Sequence, residues 1–396
     1  MENDGEEHLL EPPDEVIDLL TDSHCHPTDD PRPWGEVEVL IEKLRYVKIG
    51  RVCAMSTSTK DQEYVAKLGE ALPNKVIPAF GYHPWFVHTI STNSNINPEE
   101  HYKTVFGKKA DSDELQELLQ GGLPDPIPIQ NILQQLRDNL EAHPDSLLGE
   151  IGIDRVFRLP RNPKGWTREP DEEDIESNES PSIGRRKRPL TSLTPSIEHQ
   201  VEIAKAQIAL AIELKRSISF HSVRAGGALT DLLEDLRKSF PDENDGLSKR
   251  ERKRREKEQR YTENGNDHSS ENEESQSRLR FNDINLDLHS CTLSPQMISQ
   301  IQKKYPNIYV SFSIAINSRQ KDLVDQLRAC DPNRLLIESD WHSAEGLGSR
   351  CWSMIKLATD IIADDLVPKD IQGEERYKYA AKQLHENWRR FSKRDD

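Results

Sequence analysis

Apolar, β-branched residues gather along the chain into eight short runs separated by longer charged stretches. The runs are "EVIDLLTD" (15–22), "RVCAMST" (51–57), "KVIPAFG" (75–81), "SLLGEIG" (146–152), "SISFHS" (217–222), "INLDLHS" (284–290), "IYVSFSI" (308–314) and "RLLIESD" (334–340). Each has the length and residue types of a buried strand. Between several of them apolar residues recur near every 3.6 positions. "SIEHQVEIAKAQIALAIELKR" is the longest such stretch and opens on a Pro-Ser cap signal. "SPQMISQIQKKYP" and "QKDLVDQLRACDP" are shorter, and both run into a proline. Strands alternating with helices imply parallel pairing, and eight such units predict a (β/α)8 barrel of the α/β class.

Three segments break the alternation. Residues 91–130 are polar and rich in Asn, Pro and Gly, and 158–196 and 241–280 have too little apolar content to bury a core. All three are predicted to be mobile insertions. Residues 1–14 read as an acidic tail and 15–396 as a single barrel carrying the insertions; no internal repeat is visible. The composition agrees: 34% hydrophobic and 31% charged is more polar than a compact domain needs, so a normal core must carry long polar additions.

The net charge of −17 argues against wrapping nucleic acid through bulk electrostatics. It leaves room for a local positive site, and bound divalent ions would invert the local sign. No apolar run reaches the length of a membrane span, and the acidic start is unlike a signal peptide. The five cysteines are odd in number and lack CxxC spacing, which predicts reduced thiols and an intracellular protein, cytoplasmic or nuclear. Two basic runs, "GRRKRP" (184–189) and "SKRERKRREK" (248–257), fall in the insertions; they read as import signals, nucleic-acid contacts or solvated charge.

The candidate chemistry lies at strand ends. His24 and His26 close the first run, Glu150 stands in "GEIGID" at the fourth, His221 ends the fifth, His289 the sixth and Asp340 the eighth. Residues two apart on a strand share a face, so the HxH pair is either one jaw of a metal clamp or two polar loop residues. A lone Glu, His or Asp at a strand end is ordinarily a solvated or hydrogen-bonded group. Six metal-capable residues at the C-terminal ends of barrel strands are another matter, since barrel active sites are built there. Such a set could hold two divalent ions. Cys25, between the two histidines, is expected to point into the barrel wall, and Cys291 could approach the site.

At these residues the chain resembles the TatD family of metal-dependent hydrolases, within the amidohydrolase-like barrels. The resemblance rests on "DSHCH", "GYHPWF", "GEIGID", "SFHS", "LHSCT", "YVSFS" and "LLIESD" in order, and on Asn387 in "HENWRRF". It implies that His24, His26 and Asp340 bind one metal, that His221 and His289 bind the other, and that Glu150 bridges the two. It also implies that Asp340 takes the proton of the attacking water, with His83 in reach of a substrate phosphate. The implied activity is hydrolysis of phosphodiester bonds at nucleic-acid ends, DNA ahead of RNA, with Mg²⁺ as the family metal. The four histidines themselves favour Zn²⁺ or Mn²⁺.

The chain departs from the bacterial pattern at Val223, where Arg is common, with Arg224 one position later, and at Trp341-His342, where Pro often follows the aspartate. These changes resemble a eukaryotic, fungal-type branch, some of whose members are labelled as interacting with a subunit of the anaphase-promoting complex. Two other readings follow: a hydrolase for another ester or phosphoester, or a barrel scaffold whose charged insertions dock a protein partner.

Overall fold

A computed structural model describes residues 9–29, 37–93, 97–161, 189–242, 250–251, 253–254 and 279–393. Eight parallel strands form one sheet: β1 (Thr21–Cys25), β2 (Arg51–Met55), β3 (Val76–Phe80), β4 (Leu147–Asp154), β5 (Ile218–Val223), β6 (Leu286–Leu288), β7 (Ile308–Ser313) and β8 (Leu335–Glu338). They pair in chain order. Two backbone bonds join β8 back to β1 at their C-terminal ends, from Asp340 N to His24 O at 2.9 Å and from His26 N to Trp341 O at 2.8 Å. The sheet is thus a nearly closed barrel, with helices in its connections.

The first strand sits further along than its apolar run suggested. Asp14–Leu19 is a 3-10 helix, and β1 begins only at Thr21. Pro13 lies immediately before that helix in extended backbone (φ −60°, ψ 147°), and Val16 and Leu20 pack their side chains inward. The shift places His24 inside the strand and His26 just beyond it.

Side-chain alternation divides the barrel into two surfaces. Val52 and Ala54 of β2 face outward into the core shared with helices α1 (Val37–Tyr46) and α2 (Thr59–Ala71). Cys53 and Met55 join a second cluster that also holds Ile77, Leu147, Tyr309, Leu336, Trp388 and Phe391. The last two come from the closing helix Glu375–Ser392 and plug the end of the barrel opposite the site. Asn387 fixes that plug by donating to Leu335 O at 2.8 Å and Pro332 O at 2.7 Å, at the start of β8. Its role is therefore structural.

The polar segment 91–130 is not the mobile insertion expected for it. Its described residues carry α3 (Pro98–Phe106) and α4 (Asp113–Leu119), capped by Asn97 and Ser112. Tyr102, Val105, Phe106, Leu115 and Leu118 pack with Phe157, Leu159 and Leu193 into a small core of their own. The apolar positions are few but spaced for one helical face, which a count of polar residues conceals. Both contributing connections follow the C-terminal ends of β3 and β4, so this core stands on the mouth side of the barrel. The remainder of the second insertion, the bulk of the third and most of both basic runs lie outside the described residues.

Candidate metal centre

Glu150 is the hub. It is buried in the middle of β4, and its two oxygens face different histidines. Oε2 lies 3.0 Å from His26 Nε2 and 3.4 Å from His24 Nε2. Oε1 lies 2.7 Å from His289 Nε2, 2.8 Å from His221 Nδ1 and 3.0 Å from His83 Nε2. Asp340 Oδ1 completes the first side at 3.9 Å from His24 and 3.8 Å from His26. All six strand-end residues expected from the sequence, and His83 with them, converge on one mouth.

Local backbone geometry makes the convergence tight. Gly152 has φ 153°, and a Cβ there would lie 2.0 Å from the carbonyl oxygen of His221. Only glycine lets β4 and β5 approach so closely. Asp340 occupies the left-handed region at φ 47°, a conformation held by its N–H bond to His24 O. Its Oδ2 lies 3.0 Å from Ser290 Oγ, whose one proton is claimed by Glu338 Oε1 at 2.5 Å.

Around the histidines lie buried polar side chains, of which Ser219 and Glu338 stand two residues before His221 and Asp340 and so on the same face. His24 Nδ1 meets Ser219 Oγ at 2.7 Å. Glu338 accepts from Ser290 N at 2.7 Å through Oε1 and from Ser311 Oγ at 2.5 Å through Oε2. Asp154, further along β4, accepts from the Trp85 indole N–H at 2.7 Å and lies 3.5 Å from His221 Nε2. Glu338, Asp154, Ser219 and Trp85 were not singled out in the sequence. Glu338 and Asp154 carried a usable signal, at i−2 from Asp340 and i+4 from Glu150.

Electrostatics follow from this crowding. Burial opposes a charge on Glu150, but His83, His289, His24 and His221 around it outweigh burial and hold the carboxyl well below the usual range. Burial likewise opposes protonation of His26, but its bond to Glu150 raises it to about 9. His83 goes the other way, to about 4, because burial dominates. Asp22 is pushed up to about 7 by burial.

The donor set fits divalent cations. Two nitrogens about 2.1 Å from one ion and at right angles to each other stand about 3.0 Å apart. His24 and His26 Nε2 are 3.0 Å apart, and His221 Nδ1 and His289 Nε2 are 3.2 Å apart. His24, His26 and Asp340 form one metal-capable group, as do His83, Glu150 and His221, and His24, His289 and Glu338. The cysteines are absent from these groups, and Cys25 points into the wall, its Sγ 3.2 Å from Cys53 O.

A family model for TatD related DNase matches residues 21–354. The chain belongs to this family. Among TatD-like relatives, the Cut9-interacting protein scn1 of Schizosaccharomyces pombe is 31% identical over 349 residues, covering 83% of this chain and 88% of that one. The uncharacterized deoxyribonuclease YMR262W of Saccharomyces cerevisiae is 27% identical over 334 residues, covering 82% and 84%. The crystal structure of the TatD homologue YJJV from Escherichia coli shares the fold, with a TM-score of 0.52 at 14% identity over 95% of this chain and 98% of that one. TatD membership thus joins a family of hydrolases to a mouth lined with metal-capable side chains. Of the residues that depart from the bacterial pattern, Arg224 is exposed at φ 50°, and Trp341 lies under the Arg350 guanidinium at 3.6 Å.

Proposed function

We propose that the protein hydrolyses phosphodiester bonds of nucleic acid, DNA ahead of RNA, at chain ends, using two divalent ions. The observation that carries this reading is the division of labour at Glu150, Oε2 facing His24 and His26 and Oε1 facing His221 and His289 beside His83. In it, His24, His26 and Asp340 would hold one ion and His221 and His289 the other, with Glu150 shared between them. The ions, when bound, would neutralise phosphate charge and acidify a water. Asp340, held by its backbone bond to His24 O, would be the proton acceptor for that water. His83 donates a hydrogen bond to a phosphate oxygen. A confined mouth of this kind needs little basic surface, which suits a net charge of −17. Mg²⁺ follows from the family and Zn²⁺ or Mn²⁺ from the imidazoles.

Five buried free cysteines suit a reducing compartment, which supports the reading of an intracellular protein, cytoplasmic or nuclear. No described helix is long and apolar enough to cross a membrane. A protein partner in the cell-cycle machinery is a second reading, favoured by the name of the yeast relative scn1.

The test is metal content of the purified protein beside His24→Ala and Glu150→Ala, with cleavage of a labelled single-stranded oligonucleotide in Mg²⁺, Mn²⁺ or Zn²⁺. Metal and cleavage present in the wild type and lost together in the variants are expected. Metal without cleavage would move the search to other esters, and neither would leave the barrel as a scaffold.

A further inference from the structure

Three imidazoles crowd the same oxygen, Glu150 Oε1, within 3.0 Å: those of His83, His221 and His289. Geometry alone makes His83 as good a ligand as His221, and the two share a metal-capable group with Glu150. Their outer nitrogens separate them. The backbone N–H of Trp85 donates to His83 Nδ1 at 3.1 Å. A backbone amide can only donate, so Nδ1 must hold a lone pair and the ring proton sits on Nε2, facing the site. His221 is turned around: its Nδ1 faces Glu150, and its Nε2 faces Asp154 Oδ2 at 3.5 Å. At 3.5 Å Nε2 falls short of a hydrogen bond to Asp154, and Glu150 Oε1, 2.8 Å from Nδ1, competes for the ring proton. An ion held on Glu150 would remove that competition, and Asp154, which can only accept, would then draw the proton to Nε2 and leave the inward Nδ1 its lone pair.

We propose that Trp85 and Asp154 sort these histidines, making His221 a metal ligand and His83 a proton-bearing donor that binds no metal. Trp85 acts on both: its backbone amide sets His83, and its indole N–H, 2.7 Å from Asp154 Oδ2, anchors the carboxylate that sets His221. Asp154 is held from the other side as well, its Oδ1 accepting from Val156 N at 2.7 Å and Phe157 N at 3.0 Å. Two oxygens with separate duties leave the carboxylate no freedom to rotate. Asp154 and Trp85 are positioning residues, acting on the ions only through His221. The inference rests on the two-ion reading above.

Asp154→Asn is the decisive variant. Its remaining oxygen keeps the Val156 and Phe157 amides, while its NH2 replaces the oxygen that faced Trp85 and His221. His221 Nε2 must then accept, Nδ1 takes the proton, and the inward lone pair is lost. The measurement is Mn²⁺ and Zn²⁺ stoichiometry and affinity of the full chain by calorimetry, with thermal unfolding of the metal-free proteins as the fold control. We expect Asp154→Asn to weaken one of two ions by about 10- to 100-fold. Trp85→Phe, which keeps the backbone amide and removes only the indole donor, is expected to weaken the same ion less. His83→Gln is expected to bind both ions as the wild type does.

Unchanged affinity in Asp154→Asn, or loss of an ion in His83→Gln, overturns the assignment. Should Asp154→Asn not fold, wild-type affinity in Trp85→Phe or ion loss in His83→Gln does so. Wild-type protein that binds neither ion overturns the metal reading itself, a separate result.

Discussion

A single carboxylate in the layer below the histidines makes the residue scale concrete. Glu338 is fully buried, and three hydrogen bonds from Ser290 and Ser311 converge on its oxygens. Burial opposes its charge, but contact with His289 outweighs that and lowers its value. Glu338→Gln keeps the shape but turns one acceptor into a donor facing donors. A loss of about 1–3 kcal/mol in urea unfolding is expected, with weaker metal binding. Wild-type stability would show that the layer is repacked by water. Gly152→Ala is expected to be worse, because its methyl would meet His221 backbone at 2.0 Å and push the ligand strand away. Metal content and the denaturation midpoint should both fall. The candidate ligands themselves were legible because strand alternation sorts i and i+2 onto one face and because they end apolar runs. Glu338 and Asp154 obey the same alternation, yet a buried carboxylate within a strand resembles a solvated one until its donors are seen. The tautomers of His83 and His221 depend on residues that only folding brings near.

Elements were legible where apolar spacing was unambiguous and not where a short run fitted two periods. Seven of the eight strands and the long helix Ile197–Leu214 follow the sequence closely. The 15–22 run failed because Val16 and Leu20 are also one helical turn apart. The small core over the mouth hides a further device. His88 is buried beside it, with Nδ1 donating to Trp85 O at 3.0 Å, and burial pushes it down to about 3 from 6.5. His101 and His199, bonded to His88 O and Val87 O, are lowered too, each chiefly by burial. Between about 6.5 and 3 the unfolded chain binds a proton at His88 that the folded chain refuses. Its stability contribution is therefore complete above 6.5 and lost as pH falls through that window, at a slope approaching about 1.4 kcal/mol per pH unit. His88→Asn preserves the donor to Trp85 and removes the titration. Metal-free unfolding followed from pH 7 to 4 should show a shallower decline in the variant; identical slopes would place the acid sensitivity elsewhere.

On the scale of the whole molecule, the two long charged excursions leave the barrel at opposite ends. The chain departs at Arg161 and returns at Pro189, where Arg161 N bonds Pro189 O at 2.9 Å, on the connection that follows β4 and so on the mouth side. It departs again beyond Phe240 and returns near Phe281, whose N bonds Phe240 O at 3.0 Å, after a helix and before β6, at the end away from the site. Because each pair of ends already touches, either excursion can be cut out and bridged by a few residues without pulling the barrel apart. Removing 243–278 should leave metal content and oligonucleotide cleavage unchanged and raise stability by about 1–2 kcal/mol, the closure entropy of the longer loop. Removing 162–188 should also leave metal content unchanged. It takes away Arg185, Arg186, Lys187 and Arg188 but also seven carboxylates, so bulk charge barely changes; oligonucleotide binding should weaken and become less dependent on salt only if the basic run contacts phosphates. The pair of deletions separates the enzyme from the scaffold. If 243–278 can go without effect on cleavage but a stable protein partner is lost with it, one end of the barrel performs hydrolysis and the other carries the docking segment. If cleavage falls with 243–278 while metal content holds, that excursion reaches round to the substrate despite its distant roots.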